Sequence, residues 1–510
     1  MSKKFLAVLA LAAASLFAFV GCSGEDYSFT ALENNPSAEA AVRSNGGVYV
    51  EKGDYSYFIN GAQDGTGNNT FGTEHKGALV RCLTADLTKS DRKVEVVVPK
   101  ILYAGDINSS GFYIFGDTIY YTTPNSTKDA SGNVQYTKLD FMSVNLDGTG
   151  TKLIATMEDN TKAFRFVQTA DGDVYIFYEG TAQVERNGET TDVTALYEVN
   201  AETGETKLIA SDVASYAFDR SGSGDSVAFT VTQYKTSSST GTETAETKYN
   251  VLYSYTAGGD EPFEVASGVT EENEIEMRFM TVRYISGDKI YYTYTSKYLG
   301  EIGIAKATVG AVTTAADTLA QTDSEYSGFI PAAGEDAIYI HLNGYIRKIT
   351  FADGKISQNK ILLSNSSEIT LERIVSDGNA EYLYYSLEGV LYRVNTSDVN
   401  QEAAQVIDGT MVSTWTTFDY TVTGEGENAA VAVIYFNDSE SNTFVNYLFM
   451  DVYAKDAADE YDISSKRIGK LTTRDTETAV ANGKDDSAGV DAPPDDVVIS
   501  YKSPQKIYKK

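Results

Sequence analysis

Between Gly46 and Leu471 the chain alternates short apolar runs with polar turns, and no segment sustains the 3.6-residue apolar period of a helix. The recurring unit is a short apolar strand, a Gly-Asp-type turn and a second strand rich in Ile and Tyr. It reads GGVYVEKGDYSYFIN from Gly46, GFYIFGDTIYYTT from Gly111, FVQTADGDVYIFY from Phe166 and YAFDRSGSGDSVAFTV from Tyr216. It returns as VRYISGDKIYYTY from Val282, FIPAAGEDAIYIHL from Phe329, IVSDGNAEYLYYSL from Ile374 and YTVTGEGENAAVAVIYF from Tyr420. Gly followed by Asp suits a two-residue type II′ hairpin, because glycine accepts the positive φ of the first central position. The turn glycines are Gly53, Gly116, Gly172, Gly224, Gly287, Gly334, Gly378 and Gly426.

A third strand follows each hairpin, as in DFMSVNLDGTG from Asp140 and TALYEVNAETG from Thr194, and often a fourth, as in TKLIAT from Thr151. Four strands at a period of roughly 40–50 residues predict a β-propeller. Counting turns gives about eight blades, with seven blades plus an extra hairpin as the alternative. Tyr120-Tyr121, Tyr291-Tyr292 and Tyr384-Tyr385 point to opposite faces of their strands. Strands covered on both faces read as apolar runs, which fits blades packed between two neighbours. Polar insertions at Asp64–Lys76 and Thr236–Thr247 read as rim loops.

Outside the repeat the pattern changes. Residues 1–21 carry Lys3 and Lys4, an apolar run from Phe5 to Val20, and Gly21, which reads as a secretory signal peptide. Phe19-Val20-Gly21-Cys22 resembles the bacterial lipobox, with Phe19 where leucine is usual. That resemblance implies cleavage before Cys22, a diacylglyceryl group on its thiol, and a protein anchored on the extracytoplasmic face of a bacterial cell membrane. Residues 22–45 form a polar tether, 46–472 the propeller and 473–510 a tail read as disordered. No later apolar run approaches the roughly 18 residues of a spanning helix.

Composition narrows the partners. The 510 residues hold 41 Lys and Arg against 72 Asp and Glu, a net charge of −31. Such a chain is repelled by nucleic acid, so none is expected as a partner. The chain has two cysteines, so once Cys22 is lipidated Cys82 has no disulfide partner within it and reads as a buried hydrophobe.

Two stretches resemble a known group. Ile119-Tyr120-Tyr121 with Val144-Asn145-Leu146-Asp147-Gly148, and Tyr384-Tyr385 with Leu391-Tyr392-Arg393-Val394-Asn395, resemble the YWTD-type propeller of the low-density-lipoprotein receptor and its bacterial lipoprotein relatives. The resemblance covers roughly Gly46 to Leu471 and implies the fold; the YWTD tetrad itself is absent. Those relatives are mostly of unknown function, and propellers host many activities.

Candidate chemistry is sparse. His75 falls in a loop and His341 in a strand of the sixth unit, without HExxH or CxxC spacing for zinc. No G-x-S-x-G elbow occurs. Gly424-Glu425-Gly426-Glu427-Asn428-Ala429 has dinucleotide-loop spacing, but a strand follows it and its acids repel phosphate. Asp171 with Asp173, Asp456 with Asp459 and Asp462, and Asp485-Asp486 make Ca²⁺ the one cation worth considering, although none has EF-hand spacing. No catalytic, cofactor-binding or metal residue is therefore assigned. Trp415, the single tryptophan, is the candidate binding-face aromatic. The expected work is binding of a glycan, a peptide or an envelope protein. The alternatives are a polysaccharide-acting enzyme using channel carboxylates and a structural envelope scaffold.

Overall fold

The computed structural model describes most of residues 31–405, the strands between Phe418 and Thr472, and the paired segments Tyr27–Ser28 and Tyr508–Lys509. Among the described residues the single helical element is a 3-10 turn at Thr84–Asp86, and no helix is long and apolar enough to cross a membrane. Apart from the pairing of Tyr27–Ser28 with Tyr508–Lys509, the sheets among the described residues are antiparallel meanders. Blade one spans Val42–Arg43 to Glu95–Val98, and blade two Tyr113–Phe115 to Lys152–Met157. Blade three spans Phe164–Gln168 to Thr206–Ser211, and blade four Val213–Phe218 to Phe263–Ser267. Blade five spans Met277–Ser286 to Thr318–Thr322, blade six Gly328–Pro331 to Lys355–Ser364, and blade seven Ile369–Ser376 to Ala404–Gln405.

The propeller has seven blades, so the expectation of eight is corrected to its alternative. Phe418–Thr423, Ala430–Asn437, Tyr447–Ala454 and Arg467–Thr472 do form a further four-stranded meander. The apolar clusters join successive sheets from blade two to blade seven, and the side chains of the further sheet lie outside the described residues. Turn counting registers every hairpin, whereas a blade is defined by the sheet it packs on. The tail expected at 473–510 lies outside the described residues except Tyr508–Lys509, which pairs with Tyr27–Ser28.

Packing between blades explains the doubly apolar strands. Between blades two and three, Phe141 sets its ring edge-on to Phe164 and Phe166, at 5.5 and 5.7 Å. Full burial of such a side chain contributes about 1.5–3 kcal/mol. Tyr291 and Tyr292 are both buried because Tyr291 joins the cluster shared with blade six and Tyr292 the one shared with blade four; Tyr384 and Tyr385 are also both buried, Tyr385 in the cluster shared with blade six. The first strands of neighbouring blades approach one another and form the inner edge of the ring.

Polar bonds lock the same joints. Lys152, in the outer strand of blade two, donates to the carbonyls of Ala201 and Glu202 in a turn of blade three. Lys207, at the matching place in the second TKLIA segment, donates to Gly259 (2.6 Å) and Asp260 of blade four. Buried Glu198 accepts from Tyr255 (3.0 Å) and the Gly258 N–H (2.8 Å) of blade four. Burial pushes its carboxyl pKa up. Buried Asp219 accepts the Gly287 N–H of blade five at 2.7 Å.

Three of the expected hairpin turns are as predicted. Gly53, Gly116 and Gly287 have φ of 56, 57 and 56°, and the residue after each lacks positive φ, the signature of type II′. Gly224 is needed for another reason: a Cβ there would lie 1.6 Å from the Asp219 carboxylate. Gly334, Gly378 and Gly426 lie outside the described residues.

Two features were not foreseen. Of the residues assigned to the tether, 31–41 pack against blade one and Val42–Arg43 form its first strand. Leu32 is buried, Lys52 donates to Ala38 and Ala40, and Arg81 bonds Asn35 and the Glu33 carbonyl. The insertion in the fourth unit is also mostly strand: Ser226–Ser238 pairs with Thr244–Thr256 along its whole length. Together with Val174–Arg186 and Glu189–Asn200 it makes two long ribbons. Arg186 joins them by pairing with Asp212 and lying 5.1 Å over the Tyr234 ring.

Candidate functional site

The first strands of blades two and three end in turns at one end of the ring, and a cavity of about 470 Å³ opens there. Its walls come from Tyr113–Gly116, from Arg165–Ala170 and from the blade-four turn at Gly224-Asp225. Ala38, Val42 and Asn45 of the N-terminal segment close one side. Asn45 is held like a strand partner: its Nδ2 donates to the Ile114 carbonyl (3.1 Å) and its Oδ1 accepts the Ile114 N–H (2.7 Å). Tyr113, Phe115, Tyr120 and Phe166 form an aromatic cluster behind the opening, with Tyr113 and Phe166 centroids 5.2 Å apart.

The polar groups on this wall differ in how far they are used. Gln168 Nε2 donates to the Gly172 carbonyl, and Thr169 Oγ1 to that of Asp173. The Asp225 carboxylate accepts the Ser226 hydroxyl at 3.2 Å. Arg165 is half-buried, and its guanidinium carbon sits 5.2 Å from the Tyr113 ring centroid. Among the described residues it forms no ion pair, although acids outnumber bases by 72 to 41 along the chain. The planar fork of an arginine matches a carboxylate in a bidentate pair, and an aromatic face beneath it fixes its plane.

A second unusual group stands on the first strand of blade seven. Glu372 is the extra residue of a β-bulge, since the register jumps from Leu371–Tyr385 to Arg373–Tyr384. Its Oε1 accepts the Ser386 hydroxyl at 2.7 Å. Burial raises its pKa to about 7, against smaller lowering effects of the Ser386 hydrogen bond and the Arg373 charge. The groups that act on it among the described residues are Ser386 and Arg373, not a second carboxylate.

The residues singled out from sequence are scattered. Cys22, His75 and Trp415 lie outside the described residues. His341 is buried on the second strand of blade six, opposite Gly328 and Ile346, and burial lowers its pKa. Cys82 is buried and carries no disulfide. Asp171 and Asp173 share one exposed turn, and the other acid clusters lie outside the described residues. Among the described residues no group of three His, Cys, Asp or Glu side chains gathers to hold a metal ion. Arg165 was missed. Flanked by Phe164 and Phe166 in a chain short of cations, it carries no sequence signal that sets it apart from a paired surface cation.

No protein-family model matches the sequence, and no curated protein does. Among solved structures, the chain is similar to the β-propeller domain of the trilobed protease from Pyrococcus furiosus. That match has 10% identity over 88% of this chain and 98% of the other, with a TM-score of 0.34. An acylaminoacyl peptidase from Pyrococcus horikoshii matches at 12% identity over 73% of this chain and 54% of that one, TM-score 0.36. A nidogen/laminin complex matches at 13% identity over 60% of this chain and 92% of that one, TM-score 0.25. The chain spans about half the length of that peptidase, 54%. At these scores the fold rests on the strand order above.

Proposed function

We propose that this propeller is a binding module, anchored through Cys22 on the extracytoplasmic face of a bacterial membrane, that holds a carboxylate-bearing glycan or peptide of the envelope at the Arg165 cavity. The observation that carries the ligand class is Arg165 itself: a half-buried guanidinium, oriented by Tyr113, without an acid partner among the described residues. An arginine taken partly out of water is stabilised by an anion, and a cavity of about 470 Å³ has the size of a small-ligand site. The aromatic cluster offers apolar area beside the charge.

The test is calorimetric titration of the ectodomain with uronate-bearing and neutral oligosaccharides, and with peptides ending in a free carboxylate or an amide. Binding is expected for the acidic member of at least one pair. A hydrogen bond to a charged group is worth about 1.5–3 kcal/mol, so Arg165→Ala should weaken that binding by about 10- to 150-fold. Equal affinity for the acidic and neutral members, or an unchanged Arg165→Ala, refutes the reading. Turnover of the bound ligand would refute the binding-only part of it.

A further inference from the structure

From the path of the N-terminal segment we infer how the protein stands on its membrane: the cavity-bearing end of the ring faces the bilayer, and the two long ribbons point away from it. The inference rests on the proposed lipid anchor at Cys22.

The antiparallel meander places the first and third turns of every four-stranded blade at one end and the middle turn at the other. The N-terminal segment lies over the first of these ends. Blade one has five strands, Val42–Arg43 being an extra one, so its turn at Gly53, between Tyr49–Lys52 and Tyr55–Ile59, matches the first turn of the four-stranded blades; Gly53 donates its N–H to the Ala41 carbonyl at 3.0 Å. A Cβ on Gly53 would sit 3.2 Å from Pro36 and 3.3 Å from Ala40. Leu32 donates its N–H to the Asp147 carbonyl, in the third turn of blade two, at 3.2 Å. The cavity opens at this same end, since Gly116, Thr169, Ala170 and Gly224 belong to first turns.

Covalent geometry then limits the arrangement. Ten residues separate Cys22 from Leu32, and a chain of that length reaches at most about 35 Å. A blade strand of five to seven residues is about 17–24 Å long. Beyond Val231, where its pairing with the first strand of blade four ends, the ribbon strand continues from Thr232 to Ser238, about 23 Å more. With the ribbons toward the bilayer, the tether would have to cover the blade and the ribbon together, about 40 Å or more, beyond its reach. With the turn end toward the bilayer, the same tether is ample. The cavity then opens into the space between the ring and the lipid headgroups.

The test uses the full lipidated chain in phosphatidylcholine–phosphatidylglycerol vesicles carrying an acceptor-labelled lipid. Asp171→Cys places a fluorophore on an exposed first turn, and Glu189→Cys places one at the exposed end of a ribbon. Cys82 is buried and Cys22 carries the lipid, so the introduced thiol is the one labelled. Energy transfer to the bilayer should be greater from position 171 than from position 189. Insertion of a long Gly-Ser linker after Gly24 should shrink that difference. Equal transfer, greater transfer from position 189, or a difference that survives the linker unchanged overturns the inference. Detergent-phase partition of wild type against Cys22→Ala reads the anchor separately. If the two partition alike the anchor reading fails, whatever the transfer shows, and the inference falls with it.

Discussion

Gly287→Val should cost stability through backbone torsion alone. Gly287 has φ of +56°, and no atom lies within 4 Å of a Cβ built on it, so steric fit to neighbours contributes nothing. Its N–H bond to Asp219 survives substitution, because every residue but proline keeps that donor. What remains is the crowding of an L side chain against its own backbone, about 1–2 kcal/mol for alanine. A β-branched residue adds a stiff χ1, which brings valine to about 2–3 kcal/mol. The next residue, Asp288, shares the turn and lacks positive φ, so Asp288→Ala should cost under about 0.5 kcal/mol. The assay is urea denaturation followed by tyrosine fluorescence, with the midpoint of each variant compared at constant slope. A wild-type midpoint for Gly287→Val, or equal losses at 287 and 288, refutes the torsional argument. Gly116→Val provides an independent repeat, since φ is +57° there and its Cβ space is equally empty.

Three further outcomes are expected. Glu372 binds its proton more tightly folded than unfolded, with a folded pKa of about 7, so stability should fall as pH rises from about 4.5 through 7 and then level off; Glu372→Gln should flatten that slope in denaturation measured across this range. Lys207→Met should cost about 1–2 kcal/mol by removing the lysine's bond to the Asp260 carbonyl and one of two donors, the other being the Tyr255 hydroxyl, from that of Gly259, whereas Leu208→Ala beside it, at 48% exposure, should cost under about 0.5 kcal/mol. Arg81→Met leaves Glu95 without its guanidinium and frees Asn35 and Glu33, so limited proteolysis should cut residues 31–41 faster than in wild type while the blades persist.

Much of the fold was legible because a propeller repeats its local chemistry. The Gly-Asp turns, the paired tyrosines and the TKLIA segments each carry a physical demand that a single residue meets: positive φ, burial on two faces, or a lysine reaching the next blade. Such demands are written one blade at a time, so the strand order within each sheet followed directly. Blade number was different, because it depends on which sheets pack together. The hairpin at Phe418–Asn437 pairs like the hairpin of a blade, so a count of hairpins gives eight where the propeller has seven. The tether showed the same limit: Ala-rich, polar residues from 31 to 43 gave no periodic signal, yet blade one offers Lys52 and Arg81 as donors to their carbonyls and amide. Arg165 stands with them. Nothing in the string Phe164-Arg165-Phe166 distinguishes a paired surface cation from one left without an acid beside a cavity. That distinction lies in which turns of blades two, three and four meet, and only the packing of blade on blade decides it.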